Sequence, residues 1–189
     1  MQKRIYDSRI HEEMNCNVIN KEEVLKWLME EYGQHVIRLA YTYVKDKSLA
    51  EDVAQDVFVK CYQKLDDFRQ ESSYKSWLYR ITVNKCKDVL KSWNFKNVKP
   101  VEFFHPKSNP VSGSTPEQIS ITNEKNRQIS QTVLSLPIKL REVVIMYYYE
   151  ELKIEEVASL LNININTVKS RLVRSRQRLK KMMGGTVFE

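Results

Sequence analysis

Apolar residues in this chain recur every three or four positions and do not alternate, so helices are the only regular structure the pattern supports. Leu25, Leu28, Tyr32, Val36, Leu39 and Tyr43 form one stripe, and Asn20-Lys-Glu-Glu23 in front of it reads as a capping box. Val53, Val57, Cys61 and Leu65 form a second stripe, behind a capping box expected at Ser48–Glu51. A third runs through Trp77, Leu78, Ile81, the stem of Lys85 and Val89, with Ser73 as the expected cap. Three helices with short connections can close around one small core.

The period fails between residues 94 and 115, where Pro100, Pro106, Pro110 and Gly113 fall among serines and asparagines. This stretch reads as a linker between two domains. Thr115-Pro116-Glu117 then restarts a helix, with an N-cap, a proline in the first turn and an acid near the dipole's positive end. That helix is expected to reach Ser135. A further helix covers 138–149, with Leu140, Val144, Ile145 and Tyr148 inward. Only four glycines and five prolines occur in 189 residues, too few for a β-fold with many tight turns. The expected fold class is all-α, with two small helical domains. Residues 1–20 form an N-terminal extension, 21–93 the first domain, 94–115 the linker, 116–183 the second domain and 184–189 a tail.

Enzymatic chemistry finds little to work with. The three cysteines, Cys16, Cys61 and Cys86, form no CxxC pair, and the three histidines are isolated. A zinc site, a disulfide framework and a Gly-rich phosphate loop all lack their residues. We expect no catalytic residues, no metal and no cofactor. No apolar run approaches the roughly 18 residues of a membrane span. The N-terminus lacks the apolar segment of a secretory signal, so a cytoplasmic protein is expected.

Charge is concentrated. The net +7 conceals a segment at 75–99 carrying +6 and another at 167–181 carrying +7, so the rest is acidic by 6. Two separated basic patches suit a polyanion better than a uniformly basic surface does.

The second patch lies on a recognisable motif. Residues 154–161 (IEEVASLL) read as a helix, Asn162–Asn164 as a turn, and 165–181 as a second helix capped by Asn164. Val157, Leu160 and Leu161 would face Val168, Leu172 and Leu179, which is the register of a helix-turn-helix. On the opposite face stand Asn166, Thr167, Lys169, Ser170, Val173, Arg174 and Gln177, residue types that contact base edges and phosphates. Arg171 stands at the flank, better placed for phosphate. In the first patch, lysines and Arg80 interleave with Tyr74, Trp77, Tyr79 and Trp93, a composition suited to unpaired bases. Trp77, on the apolar stripe, reads as core.

Three segments occur in order: DVAQDVFVKCYQKLDDFR, SYKSWLYRITVNKCKDVLKS and LPIKLREVVIMYYYEELKIEEVASLLNININTVKSRLVRSRQRLK. Together they resemble bacterial RNA polymerase sigma factors of the extracytoplasmic-function type, over about residues 21–183. The resemblance implies that 21–93 is sigma domain 2 and 116–183 is sigma domain 4. It implies that Asp52, Gln55, Asp56 and Phe58 bind core RNA polymerase. It matches Phe68, Arg69, Ser72, Tyr74 and Trp77 to the region that captures a flipped −10 base, with Asn84 and Lys87 facing that element; the basic composition of the segment adds Lys91. It places Lys169, Ser170, Val173 and Arg174 at the −35 duplex, and the helix-face reading adds Asn166, Thr167 and Arg171 to that set.

The function implied is that of an initiation factor that catalyses nothing itself. Its partners would be core RNA polymerase, promoter DNA and an anti-sigma factor, often membrane-bound in the family. The alternative reading is a stand-alone, dimeric helix-turn-helix regulator that binds a palindrome without polymerase.

Overall fold

A computed structural model of the chain describes residues 20–68, 72–94 and 128–184. Every regular element among the described residues is helical. The linker, the leader and the expected helix start at Thr115 lie outside them.

Helix α1 spans Lys21–Val44. Asn20 caps it, its side-chain oxygen accepting the Glu22 N–H at 3.2 Å. Glu22 and Glu23 add negative charge to the first turn, where the helix dipole favours it. Lys45 ends the helix in the left-handed conformation and returns its N–H to the Tyr41 carbonyl. The chain turns so tightly here that α2, Lys47–Lys64, begins ahead of the expected Ser48 cap. Asp46 caps it instead, accepting the Leu49 N–H at 2.8 Å. A carboxylate is the stronger acceptor at that position, and the extended backbone of Asp46 presents it.

A 3-10 turn at Leu65–Asp67 leads into the loop before α3, Tyr74–Asn94. Ser73 caps α3 as expected, accepting the Ser76 N–H. Leu28, Val36, Leu39, Val53, Val57, Cys61, Leu78 and Cys86 close the core of this three-helix unit, each at most 1% exposed.

The described part of the second unit opens within helix α4, at 128–135. After Pro137 comes α5, Ile138–Val144, which runs on into one π-helical turn at Ile145–Tyr149. There the Glu150 N–H reaches the Ile145 carbonyl, five residues back, at 3.0 Å. The extra residue in that turn rotates the stripe. Tyr148, expected inward, is 48% exposed, and Met146 takes the buried place. Tyr147 and Tyr149 are exposed beside it. Helices α6, Ile154–Leu161, and α7, Ile165–Met182, complete the unit. The two units touch: α3 packs against α6, and α1 against α5.

Candidate nucleic-acid interface

The helix-turn-helix forms in the expected register. Asn162 takes the left-handed conformation, at φ 54°, and stops α6. Asn164 caps α7, accepting the Asn166 N–H at 2.8 Å. Val157, Leu160 and Leu161 are buried, as are Val168, Leu172 and Leu179, and the two helices pack together. Ser175, buried on the same face, sets its hydroxyl 3.2 Å from the Leu140 carbonyl and so seats α7 against α5.

This packing fixes which side of α7 faces solvent. Asn166, Lys169, Ser170, Val173, Arg174 and Gln177 are exposed, and Thr167 is half-buried at the edge. Val173, at 42%, is an apolar spot among polar groups, as a thymine methyl would require. Arg176, Arg178, Lys180 and Lys181 extend the cationic surface to the helix end.

Arg171 departs from the expected set. Its guanidinium turns inward to the Glu142 carboxylate at 2.9 Å, and its side chain is only 17% exposed. The carboxylate's second oxygen accepts the Tyr43 hydroxyl at 3.0 Å. Arg171 thus holds α7 to α5 rather than standing on the open face. Glu142 gives no sequence signal of this role beyond being an acid inside an apolar run.

The first basic patch resolves into a line on α3. Arg80, Asn84, Lys87 and Lys91 follow one another by four, three and four residues, which places them on one face. Asn84 and Lys91 are exposed and Lys87 is half-buried. Asp88 lies 3.8 Å from Lys91, too exposed a pair to neutralise it.

In the loop ahead of α3, Phe68 is half-buried, its ring 4.6 Å from that of Tyr74 and 4.9 Å from that of Trp77. Tyr74 is fully buried and meets Trp27 edge-on. Tyr74 therefore floors the loop from the core, a correction to its expected place in a base pocket, because neither ring face is open for stacking. Ser72 is half-buried. Arg69 lies outside the described residues.

A third surface joins α1 and α2. Asp52, Gln55 and Asp56 are exposed on α2, while Phe58 is buried, at 7%. Asp56 pairs with Lys85 of α3 at 2.6 Å. Beside them runs an apolar groove of about 980 Å³, lined by Leu25, Met29, Ile37, Gln55, Phe58 and Tyr62. Met29 is 49% exposed and Val59 59%, which is unusual for side chains that gain from burial. The sequence reading missed Met29, Val59 and Tyr62. Their departure from a buried stripe was the available signal.

Among the described residues no three His, Cys, Asp or Glu side chains gather as a metal site. No described helix is long and apolar enough to cross a membrane.

Comparison with known proteins agrees with this geometry. The family model for Sigma-70 region 2 matches residues 28–94, and that for Sigma-70, region 4 matches residues 126–179. The chain is 30% identical over 162 residues to the RNA polymerase sigma-H factor of Pseudomonas aeruginosa, covering 82% of this chain and 84% of that one. It is 29% identical over 167 residues to the ECF RNA polymerase sigma factor SigW of Bacillus subtilis, covering 82% and 87%. Among solved structures, the sigma factor RpoE of Bartonella quintana, in complex with the anti-sigma factor NepR, superposes with a TM-score of 0.66 at 21% identity. That match covers 86% of this chain and 98% of that one.

Proposed function

The chain belongs to the extracytoplasmic-function sigma factors of bacterial RNA polymerase, and from that premise we propose how its three surfaces divide the work of a promoter-directing initiation factor. The exposed face of α7, with Lys169, Ser170, Val173 and Arg174 at its centre, reads the −35 duplex. The Asn84–Lys87–Lys91 line on α3 meets the −10 element, and the loop at Phe68 to Ser72 receives its flipped base. The groove between α1 and α2, edged by Asp52, Gln55 and Asp56, takes core polymerase.

The observation that carries this reading is the α7 face. Its buried apolar side packs on α5 and α6, and between the exposed Ile165 and Met182 at its two ends every group left in solvent is polar or cationic except Val173. Such a helix gains little by itself in water and much in a major groove. Phosphate contacts from the flanking Arg and Lys supply the bulk of the affinity, and base edges supply the choice of site. At the −10 element the flip costs a few kcal/mol, which the loop must return through stacking and edge hydrogen bonds. Phe68 offers the partly open ring for this.

The factor performs no bond chemistry of its own and works in the cytoplasm beside the polymerase. We assign it an anti-sigma partner that covers the polymerase and DNA faces, as a protein of this fold is found with one. A stand-alone dimeric regulator would use the first domain as a sensing bundle. The region 2 match across the first domain favours the initiation factor.

Run-off transcription with purified core polymerase tests the reading. The account expects a promoter-specific transcript that depends on this chain. Active core yielding no specific product on any cognate template sinks it.

A further inference from the structure

We propose that α1 grips both ends of the loop that receives the flipped −10 base, with Trp27 and Lys21 as positioning residues that set the Phe68 ring before a base arrives. The proposal rests on the functional reading above and adds to it two residues that lie on none of its three surfaces.

The loop leaves the 3-10 turn at Leu65–Asp67 and re-enters a helix at Tyr74. Helix α1 meets it at both places. At the entry, Lys21 Nζ, from the first residue of α1, lies 2.6 Å from the Asp66 carboxylate. At the exit, the Trp27 ring meets that of Tyr74 at 5.8 Å and 76°. Tyr74 in turn lies 4.6 Å from Phe68, tilted by 32°. Trp27, Tyr74 and Phe68 therefore form one aromatic column from α1 to the loop. Tyr32, further along α1, meets Trp27 at 5.8 Å and 87° and steadies its base.

Trp27 stands apart from the surfaces already assigned. It lies two positions from both Leu25 and Met29, about 200° round the helix from each, and so faces away from the polymerase groove they line. It is half-buried, whereas Tyr74, on which it bears, is fully buried. Nearly perpendicular rings are the arrangement that aromatic quadrupoles favour, edge against face.

Such a contact fixes the plane of a ring as well as its place. Trp27 sets the plane of Tyr74, and Tyr74 sets that of Phe68. A flipped base recovers the cost of leaving its stack by stacking again in the loop. That gain is largest on a ring whose freedom was given up on folding, since a loose ring must be ordered at the moment of binding. Trp77 also touches Phe68, at 4.9 Å, so loss of Trp27 loosens the ring without releasing it.

Binding of polymerase holoenzyme to the non-template −10 strand of a cognate promoter tests this. The strand is used intact, or with one base at a time removed to leave an abasic sugar. Wild type should show one position where removal weakens binding by about tenfold. Trp27→Met should reduce that penalty about threefold, and Trp27→Phe, which keeps an aromatic edge, should restore most of it. In a Phe68→Leu background, Trp27→Met should change the penalty no further, because it acts through that ring. Discrimination at the −35 duplex should keep its wild-type value in every variant. Circular dichroism establishes that each variant is folded. Where Trp27→Met is not, Lys21→Met, at a partly exposed ion pair, takes its place with an expected fall of about twofold. A folded Trp27→Met, or its substitute, that keeps the full penalty overturns the proposal, and so does a fall of equal size with and without Phe68. A wild type lacking any such position overturns the flipped-base reading itself, and the positioning role with it.

Discussion

The Arg171 guanidinium lies 2.9 Å from a Glu142 carboxylate oxygen, joining the recognition helix to the helix that precedes the motif. Both side chains are largely withdrawn from water, at 17% and 7% exposed. A charge left alone in such a place is costly, so removing one partner weakens the fold more than the pair itself is worth.

Arg171→Ala should therefore lower unfolding stability by about 2–4 kcal/mol, read from urea denaturation. Lys169→Ala, on the exposed face of the same helix, should change it by less than about 0.5 kcal/mol. The reverse order would place Arg171 at the DNA.

Arg174→Ala should reduce discrimination between cognate and altered −35 duplexes by about 1–3 kcal/mol, measured by competition binding of the polymerase holoenzyme. Arg178→Ala should weaken all duplexes alike and lower the salt slope by about one. Equal loss on every −35 sequence for Arg174→Ala would make it a phosphate contact.

Glu151 holds φ at 55°, a region that costs most L-residues energy, and its side chain is exposed. Glu151→Gly should raise stability by about 0.5–1 kcal/mol in thermal or urea unfolding. Asn162 shares the conformation, at φ 54°, but Asn tolerates it. Asn162→Val should destabilise by at least about 1 kcal/mol.

Burial pushes the Cys61 and Cys86 thiols up to about 12, from 9.0. In the folded chain at pH 8, roughly one in ten thousand is thiolate, so iodoacetamide should leave both unmodified until the chain unfolds. The unfolded chain ionises first as pH rises. The two thiols' contribution to stability is therefore complete below about pH 9 and is lost between about pH 9 and 12, visible as a falling urea midpoint.

Most helices were legible because their stripes keep one period, and three begin at a recognisable cap: Asn20, Ser73 and Asn164 each accept a backbone N–H of the first turn. The misreadings have local causes. Lys45 turns the chain in a left-handed conformation that no glycine announces, and so moves the cap from Ser48 to Asp46. The π turn shifts the inward stripe past Tyr148, since hydropathy carries no mark of one extra residue in a helix. Tyr74 and Arg171 share their types with true ligands of nucleic acid, and only packing separates them. Glu142 and Glu150 were invisible as tertiary partners because contacts across 99 and 71 residues leave no spacing to read.

The central claim is that two DNA-reading faces on two domains each govern one promoter element. The direct measurement is run-off transcription on four templates, in which the −10 and −35 sequences are altered singly and together. Wild type, Asn84→Ala/Lys87→Ala and Arg174→Ala are compared on each. The account predicts that the α3 variant loses sensitivity to the −10 change alone, and Arg174→Ala loses sensitivity to the −35 change alone. Both variants losing both sensitivities equally, or neither losing any, would contradict it.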